Sequence, residues 1–152
     1  MLNENISFED RVFKLSSGEK VDPAILEQEI RNICHYVKYV GVTGNGEDQP
    51  VALIFPNKSL LDHPDYKLTP EEGCFCPRSL NELGKCLTGC LKLVNNQSAN
   101  KLKSAAIINK EEETFASTEQ MMEKYKALLQ KMYSDNVPAS EDIYLVKLER
   151  NK

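Results

Sequence analysis

No apolar run in this chain approaches the roughly 20 residues that cross a bilayer, so no membrane span is expected. The first residues, MLNENISFED, lack both the basic region and the apolar core of a signal peptide, which makes the cytoplasm the default location. Histidine is scarce, with only two in the chain. Neither His35 nor His63 has a visible nucleophile partner, which argues against a Ser/His/Asp or Cys/His triad. His63 lies between Asp62 and Asp65, where a solvated loop accounts for the charges better than a metal does. There is no Walker loop and no G-x-G-x-x-G, so nucleotide binding by this chain alone has no motif behind it. Concentrated basic charge is also missing: 19 basic and 23 acidic residues are well mixed and give a net charge of −4. A nucleic-acid surface is therefore not expected. The pair Lys101 and Lys103 leaves room only for a small local basic site for a phosphorylated ligand. The cysteine count is odd, at five, and no export signal accompanies it, so reduced thiols are expected.

What is present fits one domain over residues 1–152. Hydrophobic residues make up 41% of the chain, enough to form a core, and charged residues make up 28%, which suits a soluble surface. Val12, Phe13 and Leu15 favour a strand, Ser16-Ser17-Gly18 a turn, and Lys20-Val21 a returning strand. Asp22 stands where an N-cap would accept orphan N–H groups, and Pro23 suits the first helical position. Leu26, Ile30 and Ile33 mark the apolar stripe of a helix over Pro23 to Ile33. A strand is predicted from Tyr36 to Val42, and another from Pro50 to Phe55 whose continuous apolar run suits burial on both faces. Residues 57–78 read as a long loop insertion. A helix from Ser79 to Val94, a strand from Lys101 to Ile108, a helix from Thr118 to Met132 and an edge strand from Asp142 to Leu148 complete the order ββ-α-ββ-loop-α-β-α-β. The expected fold class is α+β: an N-terminal β-hairpin plus a small three- or four-stranded mixed sheet flanked by about three helices.

The spacing F-K-x-x-x-G-E-x-V-x-P-x-x-x-E, from Phe13 to Glu27, resembles the hinge-hairpin that opens the C-terminal domain of the AMP-binding, adenylate-forming enzymes. The closest likeness is to long-chain fatty acid–CoA ligases (acyl-CoA synthetases). The pair V-K-Y-V-G-V-T-G-N-G-E-D-Q-P-V-A-L-I resembles the central strands of the same domain. The resemblance covers residues 10–56 with fair specificity and 79–132 more loosely. It implies a chain that starts almost at the hinge, without the large domain that holds ATP and the acid. Aligned without gaps, Phe8 replaces the ribose-binding Arg, Asp10 takes the hinge position, Lys14 matches the family Lys, and Glu27 matches a Glu of the first helix. Deleting two residues instead puts Arg11 on the family Arg. The tip Ser16, Ser17, Gly18 and Glu19 would face CoA or a nucleotide; the alternative is a structural hairpin with a solvated tip.

The helix EKYKALLQKMY also resembles the family, but the loop before it does not. There the family carries an adenylation lysine whose ammonium stabilises charge on the acyl and phosphate oxygens. Here Glu113 to Thr118 holds threonines at 114 and 118 and no lysine; Lys110 lies beyond Glu111, Glu112 and Glu113. No catalytic residue is therefore assigned, and the isolated chain is expected to be inactive. For a complete family enzyme the resemblance implies ATP, Mg and CoA, none of them bound by this chain alone. The partners implied are a separately encoded adenylating large domain and CoA or a carrier protein. Two rival functions stand beside this one: a non-catalytic protein-interaction module of the same fold, and a small Zn-binding protein using Cys74, Cys76, Cys86 and Cys90. The C-x-C spacing is a poorer zinc template than C-x₂-C, and structural thiols are the simpler account.

Overall fold

The computed structural model describes residues 12–34, 36–57, 80–98, 100–109, 114–134 and 136–148. The described residues open with a short hairpin, β1 (Phe13–Lys14) and β2 (Lys20–Val21), in which Phe13 faces Val21 and Lys14 faces Lys20. Gly18 closes its turn at φ +91°, a conformation available to glycine at little cost. Helix α1 (Pro23–Ile33) follows directly. Its start is built as the residues dictate: the Ala24 N–H donates to Asp22 Oδ1 at 3.1 Å, and Pro23 stands at the first turn.

The main sheet has the order β3 (Val37–Thr43), β4 (Val51–Pro56), β5 (Ser104–Ile108), β6 (Ile143–Lys147). β3 and β4 are antiparallel, β4 and β5 parallel, β5 and β6 antiparallel. A parallel pair needs a crossover, and α2 (Leu80–Gln97) lies within it. The last helical segment is two helices, α3 (Thr118–Lys124) and α4 (Lys126–Tyr133).

Both faces of the sheet are covered. On one side Val40, Val42, Ile54 and Ile107 join Leu26 and Ile30 of α1 and Leu83, Leu87, Cys90, Leu91 and Val94 of α2 in one core. On the other, Leu53, Phe55, Ala106 and Ile108 pack with Met121, Leu129 and Met132 of α3 and α4. β4 and β5 are buried throughout, as the unbroken apolar run of β4 required. β6 closes one edge of the sheet. At the other edge the Val42 N–H donates to Glu27 Oε2 at 2.9 Å, so a buried carboxylate covers an otherwise open strand.

The α+β class, the hairpin and the four-stranded mixed sheet agree with the sequence reading; the described residues hold four helices, where about three were expected. The predicted helix from Thr118 to Met132 is broken at Tyr125, which sits at φ −104° and ψ 22°. The Tyr125 ring meets Phe55 edge-on at 5.2 Å, and the break lets α3 lie over β3 and α4 over β4. The third sheet strand begins at Ser104, not at Lys101. The reason is Asn95, whose amide takes both backbone groups of Leu102: Nδ2 donates to the Leu102 carbonyl at 3.1 Å, and the Leu102 N–H donates to Oδ1 at 2.9 Å. The predicted loop over 57–78 lies, Asn57 apart, outside the described residues.

Candidate functional site

The hairpin does not stand alone. Its tip is bonded to the β3–β4 turn, where Gly46 takes φ +79°. The Ser16 N–H donates to the Glu47 carbonyl at 2.8 Å, the Gly46 N–H donates to the Lys14 carbonyl at 2.8 Å, and the Ser16 hydroxyl donates to Asp48 Oδ1 at 2.7 Å. Within the tip the Gly18 N–H donates to the Leu15 carbonyl at 2.9 Å, and the Glu19 N–H donates to Ser17 Oγ at 3.3 Å. Glu19 Oε2 accepts from Asn100 Nδ2 at 2.6 Å. The structure thus gathers Lys14, Ser16, Ser17, Gly18 and Glu19 on one exposed tip. It also engages the amides of Ser16, Gly18 and Glu19 within the domain. Asp10, the expected hinge, and Arg11 lie outside the described residues.

Beside the hairpin a cavity of about 440 Å³ opens between Phe13, the end of β3 and the α3–α4 pair. Phe13, Val42, Met122 and Leu129 make its apolar part; Thr43, Asn45, Glu119, Glu123, Lys126, Gln130 and Tyr133 supply polar groups. That size and mixture suit a small-molecule or chain-like ligand. The Tyr133 phenol is pushed above its ordinary value of 10.0, first by burial, with the negative charge of Glu47 adding to the rise and a hydrogen bond with Thr43 opposing it. The sequence reading missed this set. Its signal was present: Glu119, Met122, Glu123, Lys126, Leu129, Gln130 and Tyr133 recur at helical spacing beside the buried stripe.

The loop that lacks a lysine packs on aromatic rings. Phe115 meets Tyr39 at 5.4 Å and Phe55 at 5.2 Å, each edge-on. A cleft of about 180 Å³ runs between Phe115, Ser117 and Thr118 of this loop and Arg31, Tyr39 and Met121. Ser117 caps α3 by accepting from the Gln120 N–H at 3.1 Å, while the Ala116 N–H donates to Gln120 Oε1 at 2.7 Å. Cations arrive from neighbouring elements: Lys124 sits 5.9 Å from the Phe115 ring centre and Lys38 sits 5.4 Å from that of Tyr39. The loop itself is neutral at its described positions, but its surroundings are not. Lys110 and residues 111–113 lie outside the described set.

Cys86 and Cys90 are buried in the core under α2, as is Cys34. Cys74 and Cys76 lie outside the described residues. Among the described residues no three His, Cys, Asp or Glu side chains converge to hold a metal ion. None of their helices is long and apolar enough to cross a membrane.

Residues 10–72 match the family model described as the AMP-binding enzyme C-terminal domain. The fold recurs in adenylation domains of carboxylic acid reductases. The A domain of the Mycobacterium chelonae enzyme matches with a TM-score of 0.59 and 20% identity, over 83% of this chain and 20% of that one. The A domain from Segniliparus rugosus, in complex with AMP and a co-purified carboxylic acid, gives 0.58 and 17%, over 84% and 20%. The A-PCP didomain from the same organism gives 0.57 and 16%, over 82% and 17%. No curated protein sequence matches the chain. The chain thus spans no more than a fifth of these structures. The family match is confined to residues 10–72, and the structures, at 20% identity or below, share the fold of this chain.

Proposed function

We propose that this chain acts as the small closing domain of an adenylate-forming enzyme and works with a larger domain that binds ATP and the acid. The single observation carrying this reading is the hairpin anchored on the β3–β4 turn within the matched segment 10–72. The acid class that the sequence resemblance favours is a long-chain fatty acid, converted through its adenylate to a CoA thioester. ATP and Mg²⁺ belong to the larger domain on this reading, as the sequence resemblance implies for a complete enzyme. The chain's own part is positional. The exposed tip at Ser17 and Gly18 and the cavity beside it guide the thiol-bearing arm, and closure excludes water from the reacting acyl group. Adenylation by the isolated chain is not expected, since the described loop Thr114–Thr118 brings no ammonium of its own.

A second reading, a protein-interaction module of the same fold, draws on the engagement of three tip amides within the domain. One assay separates the two. Acid-dependent pyrophosphate release and CoA-thioester formation are measured for the chain alone, for a large adenylating domain lacking its own small domain, and for the mixture, with fatty acids of several lengths. The closing-domain reading expects thioester only in the mixture. A mixture no more active than the large domain alone supports the interaction module. Pyrophosphate release by the chain alone overturns the assignment of an inactive lid.

A further inference from the structure

At the sheet edge opposite β3, a groove of about 420 Å³ lies between α2 and β6. We propose that this groove binds a phosphate-bearing small molecule through Lys92, Lys101 and Lys147. Three lysines line it and, among the described residues, no carboxylate does, although the chain as a whole is acidic. Thr88, Lys92, Asn95 and Asn96 stand at i, i+4, i+7 and i+8 on α2, so helical spacing alone brings them to one wall. Lys147 comes from the edge strand and Lys101 from the connection into β5.

The chemistry at the end of α2 favours an anion. A helix C-terminus carries partial negative charge, which would repel phosphate. Here the Lys101 ammonium donates to the Asn95 carbonyl at 2.5 Å and to the Ser98 carbonyl at 3.0 Å, neutralising that end. Two of its three N–H groups are used in this way and one is left for a ligand. Asn95 fixes the connection through Leu102, so Lys101 is held in place before any ligand arrives. Lys92 and Lys147 are exposed and act as point charges of the kind that bind phosphate. The Thr88 hydroxyl donates to the Gly84 carbonyl at 2.6 Å, so toward a ligand it can only accept. Orthophosphate alone would leave most of the groove empty. A phosphate joined to a polar, hydroxyl-bearing body fits its volume and its largely polar lining.

The test uses the full chain and amide NMR. Inorganic pyrophosphate probes the shared chemistry; AMP and glycerol 3-phosphate probe the two kinds of body. Saturable shifts at Asn96, Lys101 and Lys147, weakening with added salt, are expected. The double variant K92A/K147A, both positions being exposed, should fold and bind at least about tenfold more weakly, as losing charge-assisted contacts requires. K92R/K147R should retain binding, and K85A, on α2 outside the groove, should not alter it. Tighter binding of AMP or of glycerol 3-phosphate than of pyrophosphate supports the site and names the body. Absence of saturation with all three ligands, equal affinity in K92A/K147A, or shifts centred on the hairpin overturns it.

Discussion

Tyr133 shows how far a single side chain can be read. Its phenol is held above 10.0 chiefly because burial disfavours the phenolate. The unfolded chain therefore loses this proton at lower pH than the folded one. Tyr133's contribution is complete below pH 10.0 and declines as pH rises through the higher folded value. Urea unfolding of the wild type and Tyr133→Phe, compared at pH 8 and above pH 10, should show the wild type losing more stability over that interval. Equal losses would mean that Tyr133 titrates alike in both states. Glu27 marks a limit of reading by resemblance. The family pattern assigns it a place on the first helix; the structure gives that place a physical reason, because its carboxylate receives the Val42 N–H at the sheet edge.

Elements were most legible where local signals agreed. Asp22 followed by Pro23 and the stripe Leu26, Ile30, Ile33 placed α1 within its observed bounds, because cap, first turn and apolar face all pointed one way. Asp22→Ala should lower stability by about 1 kcal/mol, measured by denaturant unfolding, since an orphan N–H group at the helix start loses its acceptor. The segment from Thr118 to Met132 shows the converse. Its periodicity is continuous, so nothing local announced the break at Tyr125, which exists because two strands must be covered. The start of β5 was hidden for a similar reason, since Asn95 reaches it from another element. Of the candidate site, the hairpin could be read from Ser16 to Glu19, but its docking on Glu47 and Asp48 could not, because those contacts join segments distant in sequence.

At the scale of the molecule, two cores share one pair of buried strands. Ile54 belongs to the core under α1 and α2, and Leu53, one residue away, to the core under α3 and α4. Truncating either should therefore weaken the whole and not one side alone. Leu53→Ala and Ile54→Ala are each expected to cost about 2–5 kcal/mol while keeping a single unfolding transition seen alike by far-ultraviolet circular dichroism and tyrosine fluorescence. Two separated transitions in either variant would show that the layers melt independently.

Bonds from Ser16 to Glu47 and Asp48, and from Gly46 back to Lys14, weld the ribbon to the body behind it. On the proposal that this domain closes over a larger one, ribbon, sheet and aromatic loop are expected to move together as one lever arm. On the same proposal, probes at Ser17 and Phe115 are expected to keep a constant separation while both sweep past the larger domain.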